Sequence, residues 1–171
     1  MAWTGDEAIT RNAAPVLTLY ALGNGILALG AFPYYLQFAK GDLKLHLIGS
    51  ALFMLLLIPA LIWATSQFGV IGAGWAWLSA NLLSFLFWVP IVHRRFVKGL
   101  HTQWLLRDVG PIACLTVAAA ALAQGLVTWP HERASLTMGI TLVSLVILVI
   151  AAIGSSWVRE TISSRWRARF C

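Results

Sequence analysis

Residues 47–64 read LIGSALFMLLLIPALIWA, and residues 72–92 read GAGWAWLSANLLSFLFWVPIV. Neither stretch contains Asp, Glu, Lys or Arg, and each has the ~17–25 residues that a helix needs to cross the hydrocarbon core of a bilayer. Three further stretches of this kind occupy residues 16–38, 109–127 and 136–153. The pattern predicts an all-α integral membrane protein with five transmembrane helices, which we name spans A to E in chain order.

The composition of the 171 residues supports this prediction. Residues of the set AVILMFWYC make up 60%, and charged residues make up 11%, less than half of the ~25% in soluble proteins. These values argue against a soluble enzyme, a disordered chain and a disulfide-rich domain. Cys114 lies inside span D and Cys171 is the last residue, so they do not resemble a disulfide pair.

The chain has a net charge of +6, and the positions of its basic residues indicate the role of this charge. They fall between the apolar stretches rather than along one helix face, which indicates membrane topology and no nucleic-acid partner. Only Arg11 and Arg133 fall on one side of the membrane. The other ten fall on the opposite side: Lys40, Lys44, Arg94, Arg95, Lys98, Arg107, Arg159, Arg165, Arg167 and Arg169. The positive-inside rule therefore places the A–B loop, the C–D loop and the C-terminus in the cytoplasm.

The whole chain, residues 1–171, is predicted to form a single membrane domain, with residues 154–171 as a basic cytoplasmic tail. This topology places the N-terminus outside, although residues 1–11 have no basic flank that would orient a first helix. We therefore expect further transmembrane segments upstream. The tryptophans lie near the predicted span ends, which favours interfacial anchoring over a sugar-stacking surface. They are Trp63, Trp75, Trp77 and Trp129 at outer ends, and Trp88, Trp104 and Trp157 at inner ends.

Small residues predict how the spans pack. Gly72, Ala76, Ala80 and Ser84 follow one another at intervals of four residues and form a stripe on span C. Small residues allow close approach of helix backbones in lipid. We expect spans C and A inside the bundle and the aliphatic span E facing lipid. Pro33 in span A and Pro59 in span B are expected to bend their helices.

Polar residues within the spans are the candidates for lining a water-filled cavity. Tyr20, Asn24 and Tyr35 lie near one face of span A, together with Ala28 and Ala31. The full candidate set is Tyr20, Asn24, Tyr35, Gln37 and Asn81. The alternative is that Asn24 and Asn81 hydrogen-bond a neighbouring helix.

The sequence offers no catalytic, cofactor or metal site. His46, His93, His101 and His131 lack metal-ligand spacing, and no span holds a carboxylate that would relay protons or sodium ions. Hydrolase, metalloprotease and nucleotide-binding signatures are missing from the sequence. We therefore expect a protein that is not an enzyme and needs no cofactor.

Specific strings carry a family resemblance over residues 3–92. They are Trp3-Thr4-Gly5-Asp6 with Ala8, then Ala21-Leu22-Gly23-Asn24, then Pro33-Tyr34-Tyr35-Leu36-Gln37 with Ala39 and Gly41, then Gly69-x-x-Gly72-Ala73-x-x-Ala76. In this order and spacing they resemble the C-terminal half of Wzx-like oligosaccharide flippases of the multidrug/oligosaccharidyl-lipid/polysaccharide (MOP) superfamily. Spans D and E match only in hydropathy.

The resemblance implies two six-helix lobes around a central cavity, working by alternating access, with spans A–E as the last five helices of the second lobe. The substrate would be a polyprenyl-pyrophosphate-linked oligosaccharide, moved across a bacterial inner membrane for polysaccharide biosynthesis. The implied partners are membrane lipid, the N-terminal lobe of the same transporter and other polysaccharide-assembly proteins. No span offers the Arg or Lys that family members often use to hold pyrophosphate.

Two alternatives stay open. Within the same superfamily, the chain would belong to a multidrug exporter or an exporter of another lipid-linked precursor. From a different class, it would be a small membrane subunit that scaffolds a glycan-assembly complex.

Overall fold

The computed structural model describes residues 6–126, 132–156 and 158, and every regular element among them is helical. Two π-helical turns, Ser84–Trp88 and Leu105–Val109, join α3 to α4 and α5 to α6. The helices are α1 (Glu7–Leu29), α2 (Ala31–Ala39), α3 (Lys44–Leu83), α4 (Val89–Phe96), α5 (Leu100–Trp104), α6 (Gly110–Leu126) and α7 (Arg133–Gly154).

Four helical segments of the described chain are long and apolar enough to cross a membrane. They are Ala8–Ala39, Lys44–Phe96, Leu100–Leu126 and Ala134–Gly154. These segments give the chain the character of a multi-pass α-helical membrane protein, because no soluble fold exposes so much apolar helix surface. The predicted spans B and C both fall within the second segment, which is 53 residues long.

That second segment reverses direction at Gly69. The dihedral angles of Gly69 are φ 63° and ψ −149°, a conformation that is essentially restricted to glycine. A Cβ atom on Gly72 would meet the carbonyl oxygen of Ala64, and a Cβ atom on Gly49 would meet the indole of Trp88. Residues on either side of Gly69 therefore pair as an antiparallel helical hairpin, and α3 continues through Pro59 without interruption.

Helix α1 packs against the half of α3 that follows Gly69. A Cβ on Gly74 would lie 3.0 Å from Leu19, and one on Gly23 would lie 2.8 Å from Nε1 of Trp77. These paired positions increase together along both helices, so α1 runs parallel to that half of α3. The face of span C that meets α1 is therefore different from the face that carries the small-residue stripe. Gly72 is the one residue of this stripe that is buried, and it lies against the backbone carbonyl of Ala64.

The start of α1 and the break before α2 both have local causes. The side chain of Asp6 accepts hydrogen bonds from the backbone N–H groups of Ala8 and Ile9, at 2.8 and 3.2 Å, and caps α1. The helix thus begins nine residues before the predicted start of span A. Pro33 has no N–H to donate to the carbonyl of Leu29, and the chain breaks between α1 and α2 at Gly30.

Each π-helical turn ends just before a proline. The N–H of Val89 bonds the carbonyl of Ser84, and the N–H of Gly110 bonds that of Leu105, both across five residues. Pro90 and Pro111 follow directly. A proline ring clashes with the carbonyl four residues earlier, and a π-helical turn widens the helix there. Most of the predicted C–D loop is also helical, since only residues 97–99 separate α4 from α5.

The described residues from 102 onward belong to a second compact unit, distinct from the unit of residues 6–101. Within it α6 and α7 pair antiparallel, because a Cβ on Gly154 would lie 2.8 Å from the side chain of Leu115. Leu142, Leu145 and Leu148 of α7 are exposed, as expected for span E.

Some sequence predictions lie outside the described residues. They are the string Trp3-Thr4-Gly5, Val127 at the end of span D, Trp129, His131, Trp157, and the basic tail from residue 159 onward.

Candidate functional site

The polar face predicted on span A is largely exposed. The side chain of Asn24 on α1 is exposed, and Tyr35 on α2 is 65% exposed with its ring 5.3 Å from that of Tyr34. Tyr20 is half-buried because its ring stacks on Trp77 at 6.2 Å. This face is therefore free of the α1–α3 contact along most of its length.

The two remaining candidates are buried amides. Gln37 and Asn81 are each 2% exposed. Each donates to a carbonyl four residues earlier in its own helix: Gln37 Nε2 to Pro33 at 3.1 Å, and Asn81 Nδ2 to Trp77 at 2.8 Å. The Oε1 atom of Gln37 is buried without a hydrogen-bond partner in the described part of the chain. An unsatisfied buried acceptor costs ~1–3 kcal/mol, so packing alone does not account for Gln37.

Trp77 joins two of the candidates. Its ring contacts Tyr20, its carbonyl accepts from Asn81, and the ring of Phe53 meets it edge-on at 6.3 Å. Its indole Nε1 is buried and has no hydrogen-bond partner among the residues described. Trp77 is thus a packing residue of the α1–α3 contact, and its place in an interfacial belt stays a prediction. Tyr35, Gln37 and Asn24 are not part of this cluster.

A groove lies between the two halves of the α3 hairpin. It has a volume of about 760 Å³ and is lined by apolar side chains from Gly49 to Trp88. Its aromatic walls include Trp63, Phe68 and Trp75, and small residues such as Ala76 and Ala80 lie between them. No charged side chain lines the groove, and none of the five candidate residues does. All four residues of the small stripe thus line this groove, and Gly72 also lies against the backbone of Ala64.

A histidine pair was not foreseen from the sequence. The Nδ1 atoms of His93 and His101 are 3.1 Å apart, and the ring of Phe32 meets His93 edge-on at 5.6 Å. The turn at residues 97–99, with Gly99 at φ 82°, brings the two imidazoles together. At this distance they share one proton between a donor and an acceptor nitrogen. The eight-residue spacing gave no signal, because it depends on that turn.

The described residues contain no group of three or more His, Cys, Asp or Glu side chains that would hold a metal ion. The arrangement consists of exposed polar groups on α1 and α2, two buried amides and an apolar groove.

No protein-family model, curated protein or solved structure matches this chain.

Proposed function

We propose that this chain is the C-terminal part of a membrane flippase that moves a polyprenyl-pyrophosphate-linked oligosaccharide across the cytoplasmic membrane. Such a protein would serve the synthesis of O-antigen, capsule or exopolysaccharide. The observation that carries the proposal is the ordered set of strings from Trp3 to Ala76 that resembles the MOP flippases. The exposed polar face of α1 and α2 adds support, because a transporter needs polar side chains that are not consumed by packing.

The proposal includes five membrane crossings. The second helical segment would cross twice, since 53 residues of helix exceed the ~20 that one crossing needs. The reversal at Gly69 and the contact of Gly72 with Ala64 support two antiparallel crossings. Spans A–E would then form the last five helices of the second six-helix lobe, in a bacterial inner membrane with the C-terminus in the cytoplasm.

Two other functions compete with this one. An exporter of drugs or of another lipid-linked precursor would use the same fold and is favoured by the largely apolar groove of α3. A membrane scaffold of a glycan-assembly complex is favoured by the exposed aliphatic side chains of α7, such as Leu145 and Leu148. We propose that none of the three functions is enzymatic and that none requires a cofactor.

Complementation tests the proposal directly. The reading frame extended upstream of Met1 is expected to restore polysaccharide export to a strain that lacks its oligosaccharide flippase. The measurement is gel analysis of surface glycan, with a multidrug-sensitivity assay on the same strain. Restored drug resistance without glycan would favour the exporter, and loss of glycan upon deletion of the chain, despite an intact host flippase, would favour the scaffold.

Asn24→Leu is expected to lower glycan export severalfold in that assay at unchanged protein level. Asn24 is exposed, so the substitution should change the free energy of unfolding by less than ~0.5 kcal/mol. Leu22→Ala is the control, because Leu22 is also exposed but lies on the opposite side of α1. Equal export by both variants would remove Asn24 from the translocation path.

A further inference from the structure

The groove between the halves of α3 is bounded at both ends. At its narrow end the backbones meet, because Gly72 lies against the carbonyl of Ala64 next to the Gly69 turn. At its other end the indole of Trp88 lies between the halves, against Gly49. The lining runs along α3 from Gly49 to Ala64, a length of roughly 20 Å at 1.5 Å per residue. The groove is therefore long and is bounded by a close contact at each end.

The lining selects an apolar occupant. Ser79 and Ser84 are its only hydroxyl side chains, and the others are aliphatic, aromatic or glycine. Its length exceeds half of the ~30 Å hydrocarbon core, so one flexible hydrocarbon chain would lie along it from the headgroup region to beyond the bilayer centre. A helix of ~10 Å diameter is a poorer fit to the narrow end, where the two backbones touch.

Three basic residues lie beyond the Trp88 end of the groove. Lys44 lies just over one turn before Gly49, and Arg94 and Arg95 lie about two turns after Trp88. All three side chains are exposed, and no carboxylate in the described part of the chain forms an ion pair with them. The nearby carboxylate of Asp42 accepts a hydrogen bond from the backbone N–H of Lys44, at 3.2 Å.

The opposite end has no comparable charge on the hairpin. No Asp, Glu, Lys or Arg occurs between Lys44 and Arg94. The parallel arrangement of α1 places its start, with Arg11, near the Gly69 end. The basic residues of the hairpin therefore lie beyond one end of the apolar groove.

We propose that the α3 groove binds an anionic phospholipid, with one hydrocarbon chain along the groove and the phosphate among Lys44, Arg94 and Arg95. Basic residues at the membrane surface attract anionic headgroups, each by about fivefold in affinity. The aromatic side chains of the groove and the small residues between them would pack closely around the hydrocarbon chain. This lipid site does not depend on transport and stands independently of the proposed flippase function.

Native mass spectrometry of the delipidated 171-residue chain tests the site. Phosphatidylglycerol is compared with phosphatidylcholine of identical chains and with sodium phosphate. The wild-type chain is expected to retain phosphatidylglycerol at least about fivefold more than phosphatidylcholine, and to retain no free phosphate. Binding of free phosphate that displaces phosphatidylglycerol would overturn the role of the groove.

Two groove variants and one control examine the hydrocarbon chain. Ser79→Trp and Ala60→Trp place an indole in the groove and should lower retention of both lipids about fivefold. Leu55→Trp is the control, since Leu55 is 69% exposed on the same half of α3 and does not line the groove. Because Ser79 is exposed, an indole at this position should be tolerated, and the Ser79→Trp variant is expected to fold. Equal retention by groove variants and control would overturn the proposal.

Charge variants examine the headgroup. Arg94→Gln with Arg95→Gln should abolish the preference for phosphatidylglycerol while phosphatidylcholine binding stays unchanged, and Arg11→Gln should preserve the preference. Loss of preference in Arg11→Gln alone would place the headgroup at the other end and contradict the model of the site. A wild-type dimer that Ser79→Trp converts to a monomer, without change in bound lipid, would show instead that a second copy occupies the groove.

Discussion

Gly72→Leu is expected to destabilise the α3 hairpin by about 3 kcal/mol or more and to remove most of the folded protein. A side chain at this position would meet the carbonyl group of Ala64, which is backbone and has no rotamer to change. Overpacking in a close contact costs typically ~1–3 kcal/mol, and here the two halves would have to separate. Gly72→Ala should already lower stability. The measurement is the yield of monodisperse protein in mild detergent, with its midpoint temperature.

Gly25→Leu is the matched control, because a Cβ on Gly25 has no atom within 4 Å. Leu145→Ala is a second control on α7, where Leu145 is 59% exposed. Both should stay close to the wild type. Ala80→Leu should fall between these controls and Gly72→Leu, since Ala80 lines the open groove. Similar yields for Gly72→Leu and Gly25→Leu would contradict the close contact between the halves of α3.

Single cysteines near the turn of the α3 hairpin and near its basic ends are expected to be labelled from opposite sides of the membrane. In a chain lacking Cys114 and Cys171, cysteines replacing Ser66 and Ser135 should react with a membrane-impermeant maleimide in intact cells. Cysteines replacing Ala39 and Val97 should react only after permeabilisation. The reason is the ten-to-two bias of Lys and Arg, which retains the basic ends in the cytoplasm.

Ala39 and Val97 are chosen because both are exposed and neither carries charge. The neighbouring Gly41 and Gly99 have φ angles of 68° and 82°, at which cysteine is strained. Labelling of the Val97 position in intact cells would invert the topology. A Ser66 position that reacts only after denaturation would mean that the hairpin turns within the bilayer, and five crossings would be wrong.

The sequence predicts the helical fold well, because long uncharged stretches have few alternatives in lipid. It predicts helix boundaries less well. The start of α1 depends on the cap by Asp6, which lets the helix begin in the polar residues before the apolar stretch. The hydropathy of the apolar stretch gives no sign of this earlier start. The π-helical turns are associated with Pro90 and Pro111. The sequence shows the prolines, but only the backbone hydrogen bonds across five residues show that each helix widens at the proline instead of bending.

The candidate site was less predictable. Periodicity places Tyr20, Asn24 and Tyr35 on one face, yet periodicity alone does not say which face meets α3. The side chain of Trp77 packs against Gly23 and stacks on Tyr20. The fit of a bulky residue to a glycine therefore sets which face of α1 meets α3. The His93–His101 pair depends on the positive φ of Gly99, which has no signature in hydropathy or residue spacing.

The turn at Gly69 has a consequence for how the protein is made. From Lys44 to Arg94 the ribosome delivers an uninterrupted uncharged segment whose two halves are joined by a single sharply turned glycine. The translocon meets no charged residue between them, so the first half has no charged flank at its far end to hold it while the second half is synthesised. The two halves are therefore expected to leave the translocon as one paired unit. Lengthening the turn with charged residues would separate a single insertion event into two.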